Sequence, residues 1–117
     1  PVRALGHLNA VLSAEPENAV ALSQLSRVHR TARNWPAAAD GLRRLLALPS
    51  ISPQGTVPHL LDLAEVRLEG FGDAAAAAGL AERALALAPG DARAMALNQA
   101  VRGLAAVSSP AASPGQA

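Results

Sequence analysis

Apolar residues recur along this chain at intervals of three and four, the spacing that gathers side chains on one face of an α-helix. Ala4, Leu8, Val11 and Leu12 form one such stripe, Leu22, Leu25, His29 and Ala32 a second, and Leu61, Ala64, Leu68 and Phe71 a third. Between the stripes stand residues that start and stop helices. Asn18, Asn34, Asp73 and Asp91 have side chains suited to accept hydrogen bonds from a first helical turn, Pro36 and Pro58 suit first-turn positions, and Gly72 and Gly90 sit where one helix ends before the next. Pattern and punctuation together predict helices near residues 2–14, 19–32, 36–48, 57–71, 74–87 and 91–106. Residues 108–117, rich in Ser, Pro and Ala, read as a disordered tail. The apolar half of the chain is almost entirely Ala, Leu and Val, with a single Ile, Ile51, in a Pro-rich stretch, so strand formation lacks its raw material and an all-α fold follows.

The stripes repeat. Ala4, Leu8, Val11 and Leu12 return 34 residues later as Ala38, Leu42, Leu45 and Leu46, and again after a further 39 as Ala77, Ala81, Ala84 and Leu85. Most of the five additional residues fit the connector from Leu48 to Pro58, which holds three prolines. The run Ala74 to Ala78 reads as a helix face thin enough for another helix to cross at short range.

At this level the chain resembles the tetratricopeptide repeat family. The segment from Asp73 through Glu82, Arg83, Ala84, Leu85, Ala86, Leu87, Ala88, Pro89, Gly90 and Asp91 is similar to the second helix of such a repeat and the start of the next unit, and Ala14 to Asn18 is similar to the same junction. Ala38 and Ala77 match the small residue that the family places in its second helix, and Ser26 and Ala64 the small residue of its first. The resemblance covers residues 3–106 and implies a right-handed α-α superhelix, a solenoid of antiparallel helix pairs. Residues 1–15 would be the second helix of a truncated repeat, 16–49 a full repeat, 50–58 an extended linker, 59–89 a second repeat and 90–107 a capping helix, followed by the tail at 108–117. A second helix with no first before it implies a C-terminal piece of a longer bacterial protein. His29 and Leu68 stand where the family usually has a large aromatic, and Asn98, Gln99 and Arg102 fall at expected core positions of the last helix, leaving it an apolar stripe of Leu97, Ala100, Val101 and Leu104.

Composition narrows the chemistry. A formal net charge of +1, carried as +3 over residues 1–58 and −2 over residues 59–117, is too small to imply nucleic acid, and the chain has no run of about 20 apolar residues of the kind a membrane span requires. Without Cys there is no disulfide or thiolate framework. His7, His29 and His59 are far apart; only His59 has an acid, Asp62, at helical ligand spacing, and the two read as an exposed first-turn pair rather than a metal site. Ser23, Ser26 and Ser50 lack a paired base, and Gly70-Phe71-Gly72 lacks the Lys and hydroxyl of a phosphate loop. No enzyme activity and no cofactor is expected.

The resemblance implies instead a scaffold that binds a peptide or protein on the concave face formed by the first helix of each pair. Those positions are Ser23, Gln24, Arg27 and Arg30, then Asp62, Glu65 and Glu69, then Arg93. Arg27 and Arg30 are candidates to grip carboxylates of the partner; the competing expectation is that both pair with Glu65 and Glu69 on the adjacent helix. A second function expectation is a substrate-positioning arm of a larger transferase or hydrolase.

Overall fold

The structure, a computed structural model, describes residues 2–108. Six α-helices follow one another: α1 Val2–Ala14, α2 Ala19–Thr31, α3 Trp35–Leu46, α4 Val57–Phe71, α5 Ala74–Leu87 and α6 Ala92–Ser108. There is no strand among the described residues. The helix starts are chemically marked. Side-chain oxygens of Asn18, Asp73 and Asp91 accept hydrogen bonds from the backbone N–H of Ala21 (3.0 Å), Ala76 (3.0 Å) and Ala94 (2.9 Å), satisfying donors that a first turn leaves without partners. Asn34 departs from expectation, since its side chain makes no capping bond. The preceding Arg33 is in the left-handed region at φ 61°, and this turn directs the Asn34 N–H to the carbonyl of His29 instead (2.8 Å). Helix α4 stops at Gly72, whose φ of 62° reverses the chain at little cost for a residue without Cβ. The linker expected to be extended over 50–58 is coiled at its end: Gln54–Thr56 form a 3-10 turn, and α4 begins at Val57 with Pro58 in its first turn, where a missing N–H breaks no helical bond. The tail expected over 108–117 lies, beyond its first residue, outside the described residues.

Each helix packs on its neighbour in sequence, and α4 also reaches α6, giving a body of 57 × 28 × 20 Å. Its core is a row of clusters. Leu8, Leu12, Leu22, Leu25, Leu42, Leu45, Leu63 and Val66 join α1 through α4. Val57, Leu60 and Leu61 meet Ala84 and Ala94, and Ala64, Ala77 and Ala81 meet Val101. Partly buried Leu80 touches all three clusters. Removing Leu22, Leu45, Leu60 and Leu61 from water stabilises the fold by about 1.5–3 kcal/mol each.

Two glycines set how closely elements approach. A Cβ on Gly41 of α3 would lie 2.3 Å from the Oγ of Ser26, where α2 crosses, and one on Gly70 of α4 would lie 2.3 Å from the ring of Trp35. Both stand inside helices, where glycine costs about 1 kcal/mol against alanine, so close approach offsets a local penalty.

Helix α6 is turned differently from the sequence expectation. Ala94, Asn98 and Val101 are buried and Leu97 is half-buried, while Ala100 is exposed and Leu104 is 49% exposed. Thin Ala94 fits against the α4–α5 cluster, and the Arg93 side chain on one flank of that contact is held by α4, so the rotation that would bury Leu104 is not taken.

Candidate functional site

The acids of α4 at positions 62, 65 and 69 follow the three-to-four spacing of one helix face and receive an arginine from each side. From α2, Arg30 places a terminal nitrogen 2.7 Å from Glu65 Oε1 and 3.0 Å from Glu69 Oε1, with its other terminal nitrogen 4.0 Å from Asp62 Oδ1. From α6, Arg93 lies 2.7 Å from Asp62 Oδ1 and 3.1 Å from Glu65 Oε2. Glu65 is therefore shared, one oxygen to each arginine, and the ladder ties α2 to α4 to α6. Partial burial on its own would lower the pKa of each arginine, but the hydrogen bonds and charges of Glu65 and Glu69 raise that of Arg30, and those of Asp62 and Glu65 raise that of Arg93. Both guanidiniums are thus firmly cationic.

Five of the eight residues expected to face a partner, Arg30, Asp62, Glu65, Glu69 and Arg93, are engaged with one another. The expectation of pairing with Glu65 and Glu69 holds for Arg30. Arg27, about one turn earlier on the same side of α2, is in no ion pair among the described residues. Ser23 and Arg27, with Ser26, Arg30, Leu42 and Asp62, line a small cleft of about 110 Å³ beside the ladder.

Gln24 and Arg27 also line a larger feature that the sequence reading missed. Between α1 and α2 runs an open, mainly apolar groove of about 440 Å³, walled by Ala4, His7 and Leu8 on one side and by Gln24, Arg27, Val28 and Thr31 on the other. The repeat gave no sign of it, since Ala4 and Leu8 pair with Ala38 and Leu42, which are both buried, yet Ala4 is exposed.

His59 and Asp62 were expected as an exposed pair; His59 is instead partly buried with Nδ1 lacking a hydrogen-bond partner, and Asp62 is held by Arg93. Among the described residues no group of three or more His, Asp or Glu is placed to hold a metal ion, and no helix is long and apolar enough to cross a membrane. No known family model and no curated protein matches the chain.

Proposed function

We propose that this chain is a tetratricopeptide-like solenoid, a right-handed superhelix of antiparallel helix pairs, acting as a scaffold that binds a protein or peptide partner. Three things support the solenoid reading: neighbour-by-neighbour packing, the short connections at 15–18, 32–34, 72–73 and 88–91, and small residues at the crossings, Ser26 with Gly41 and Ala64 with Ala77 and Ala81. The observation that carries the binding reading is exposed Arg27, in no ion pair among the described residues, which with Ser23, Ser26, Arg30, Leu42 and Asp62 lines a cleft beside the ladder. Contact with the partner is accordingly assigned to Ser23, Gln24 and Arg27, while the Arg30, Asp62, Glu65, Glu69 and Arg93 ladder holds helices to one another.

The test is a photo-crosslinking residue placed at exposed Gln24 or, as control, at exposed Ala75 of α5, in the cell that makes the protein. One defined protein crosslinked from position 24 and not from position 75 is the expected result. Equal labelling from both positions, or none from position 24, refutes the assignment.

A further inference from the structure

A groove of about 480 Å³ runs where the three consecutive helices α3, α4 and α5 meet. Each helix gives it a leucine and an arginine about one turn apart on one face: Leu46 and Arg43 from α3, Leu63 and Arg67 from α4, Leu80 and Arg83 from α5. Leu63 is buried and Leu46 and Leu80 are half-buried, so the leucines form an apolar floor, while Arg43 and Arg83 are exposed at its edges. Among the described residues no acid lines the groove, and none of its three arginines is in an ion pair. Two of them are held in place without being neutralised. Arg43 Nε donates to the carbonyl of Ala39 (3.5 Å), and the Arg67 guanidinium lies 5.1 Å from the centre of the Phe71 ring.

The fold itself does not call for these arginines. The preceding unit superposes α1 on α3 at an offset of 34 and α3 on α5 at 39, and α2 on α4 at 38, which sets Leu22, Leu25 and Ser26 over Leu60, Leu63 and Ala64. In that register Asn9, His29 and Arg44 take the places of Arg43, Arg67 and Arg83. One unit therefore packs with a single arginine where the next carries three. The floor changes as well, since Leu12 and Leu25 match Leu46 and Leu63 but Gly41 stands in the place of Leu80. We infer that the α3–α4–α5 groove is a docking site for an acidic segment of a protein partner, with a large apolar side chain on Leu46, Leu63 and Leu80 and carboxylates at Arg43, Arg67 and Arg83. An anionic bilayer is a poorer occupant, because it would lie flat across a trough and meet a half-chain of net charge −2 over residues 59–117. This groove shares no residue with the cleft at Ser23 and Arg27, so either assignment can fail without the other. Position 75 faces about a quarter turn round α5 from Leu80 and Arg83, so crosslinking there does not report on the groove.

The probe is a phage-displayed library of random peptides about a dozen residues long, selected on the whole chain and counter-selected on the chain carrying Arg43→Gln and Arg83→Gln. Both substitutions are at exposed helical positions and keep a good helix former there. The expected consensus is a Leu, Phe or Trp with Asp or Glu on both sides. The synthetic consensus peptide is expected to lose at least about tenfold in affinity when its acids become amides, and as much on the Arg43→Gln, Arg83→Gln chain. Arg3→Gln with Arg44→Gln removes the same charge from exposed positions outside the groove and should change affinity by less than about twofold. Amide shifts are expected at residues 43–47, 63–67 and 76–83. Circular dichroism on each variant confirms that it is folded. No enrichment, a consensus without acids, shifts only at other residues, or a loss on the Arg43→Gln, Arg83→Gln chain no larger than on the control overturns the inference. So does binding to phosphatidylglycerol vesicles, or self-association in sedimentation, that the Arg43→Gln, Arg83→Gln pair abolishes, since the first assigns the groove to a membrane and the second to another copy.

Discussion

Replacing Gly41 by alanine sets two effects of opposite sign against each other in the middle of α3. Alanine is worth about 1 kcal/mol over glycine in a helix interior, so an open site would gain stability. Here the added methyl would lie 2.3 Å from Ser26 Oγ, 3.4 Å from Ser26 Cβ and 3.7 Å from the Leu22 carbonyl oxygen. The last two are ordinary contacts; the first is not. Ser26 is buried, and its hydroxyl donates to that same Leu22 carbonyl at 2.9 Å, so making room means breaking the bond or parting α2 from α3. Overpacking of this kind costs about 1–3 kcal/mol, and a displaced buried hydroxyl about 1 kcal/mol more. The steric term wins by about 1–3 kcal/mol, a fall in Tm of about 4–8 °C per kcal/mol for a chain of this size, read by far-ultraviolet circular dichroism. Adding Ser26→Ala removes the offending oxygen. The double variant is expected to recover at least about 1 kcal/mol over Gly41→Ala alone, a coupling that two separate sites would not show. A higher Tm for Gly41→Ala, or additive effects in the pair, refutes the close crossing.

Glu65→Gln is expected to cost about 1 kcal/mol at low ionic strength and clearly less in 1 M NaCl, since solvent and salt screen a ladder this exposed; urea melts in both buffers decide, with Glu82→Gln at the more exposed Arg102 pair as the small-effect control. Because the pKa of Arg30 is raised, its stabilising charge is fully present below the ordinary arginine value and is lost only as pH rises beyond it, so the cost of Arg30→Met should be flat between pH 7 and 10; a slope across that window would contradict the pairing. Arg33→Gly should stabilise by about 1 kcal/mol, because a residue with Cβ holds a left-handed turn at φ 61°, and a lower urea midpoint would show that the Arg33 side chain contributes more than its backbone costs.

Helix positions were legible because they depend on local chemistry. Asn18, Asp73 and Asp91 cap where capping residues were expected, and Pro58 lies in a first turn. What depends on how one helix is turned against another was not legible. Arg27 and Arg30 are equally basic and sit on one helix, and only the lateral placement of α4 sends one into the ladder and leaves the other by the groove. Asn98 is polar and buried, and Leu104 apolar and half exposed, because the fit of Ala94 and the hold on Arg93 fix the rotation of α6 more firmly than its own hydropathy does. Gly41 and Gly70 read in sequence as weak points of a helix, whereas their use appears only when Ser26 and Trp35 are brought against them.

The packing of Trp35 against the backbone of Gly70 gives the molecule a built-in optical gauge. Trp35 is the only tryptophan, and it stands at the start of α3 against the end of α4. Its emission therefore reports the separation of those two helices alone, and the α5–α6 end is dark at that wavelength. Heated while fluorescence and helical dichroism are followed together, the chain declares whether its units melt as one: coincident curves mean a single cooperative block, and an early loss of helix under unchanged emission means the far end peels away first.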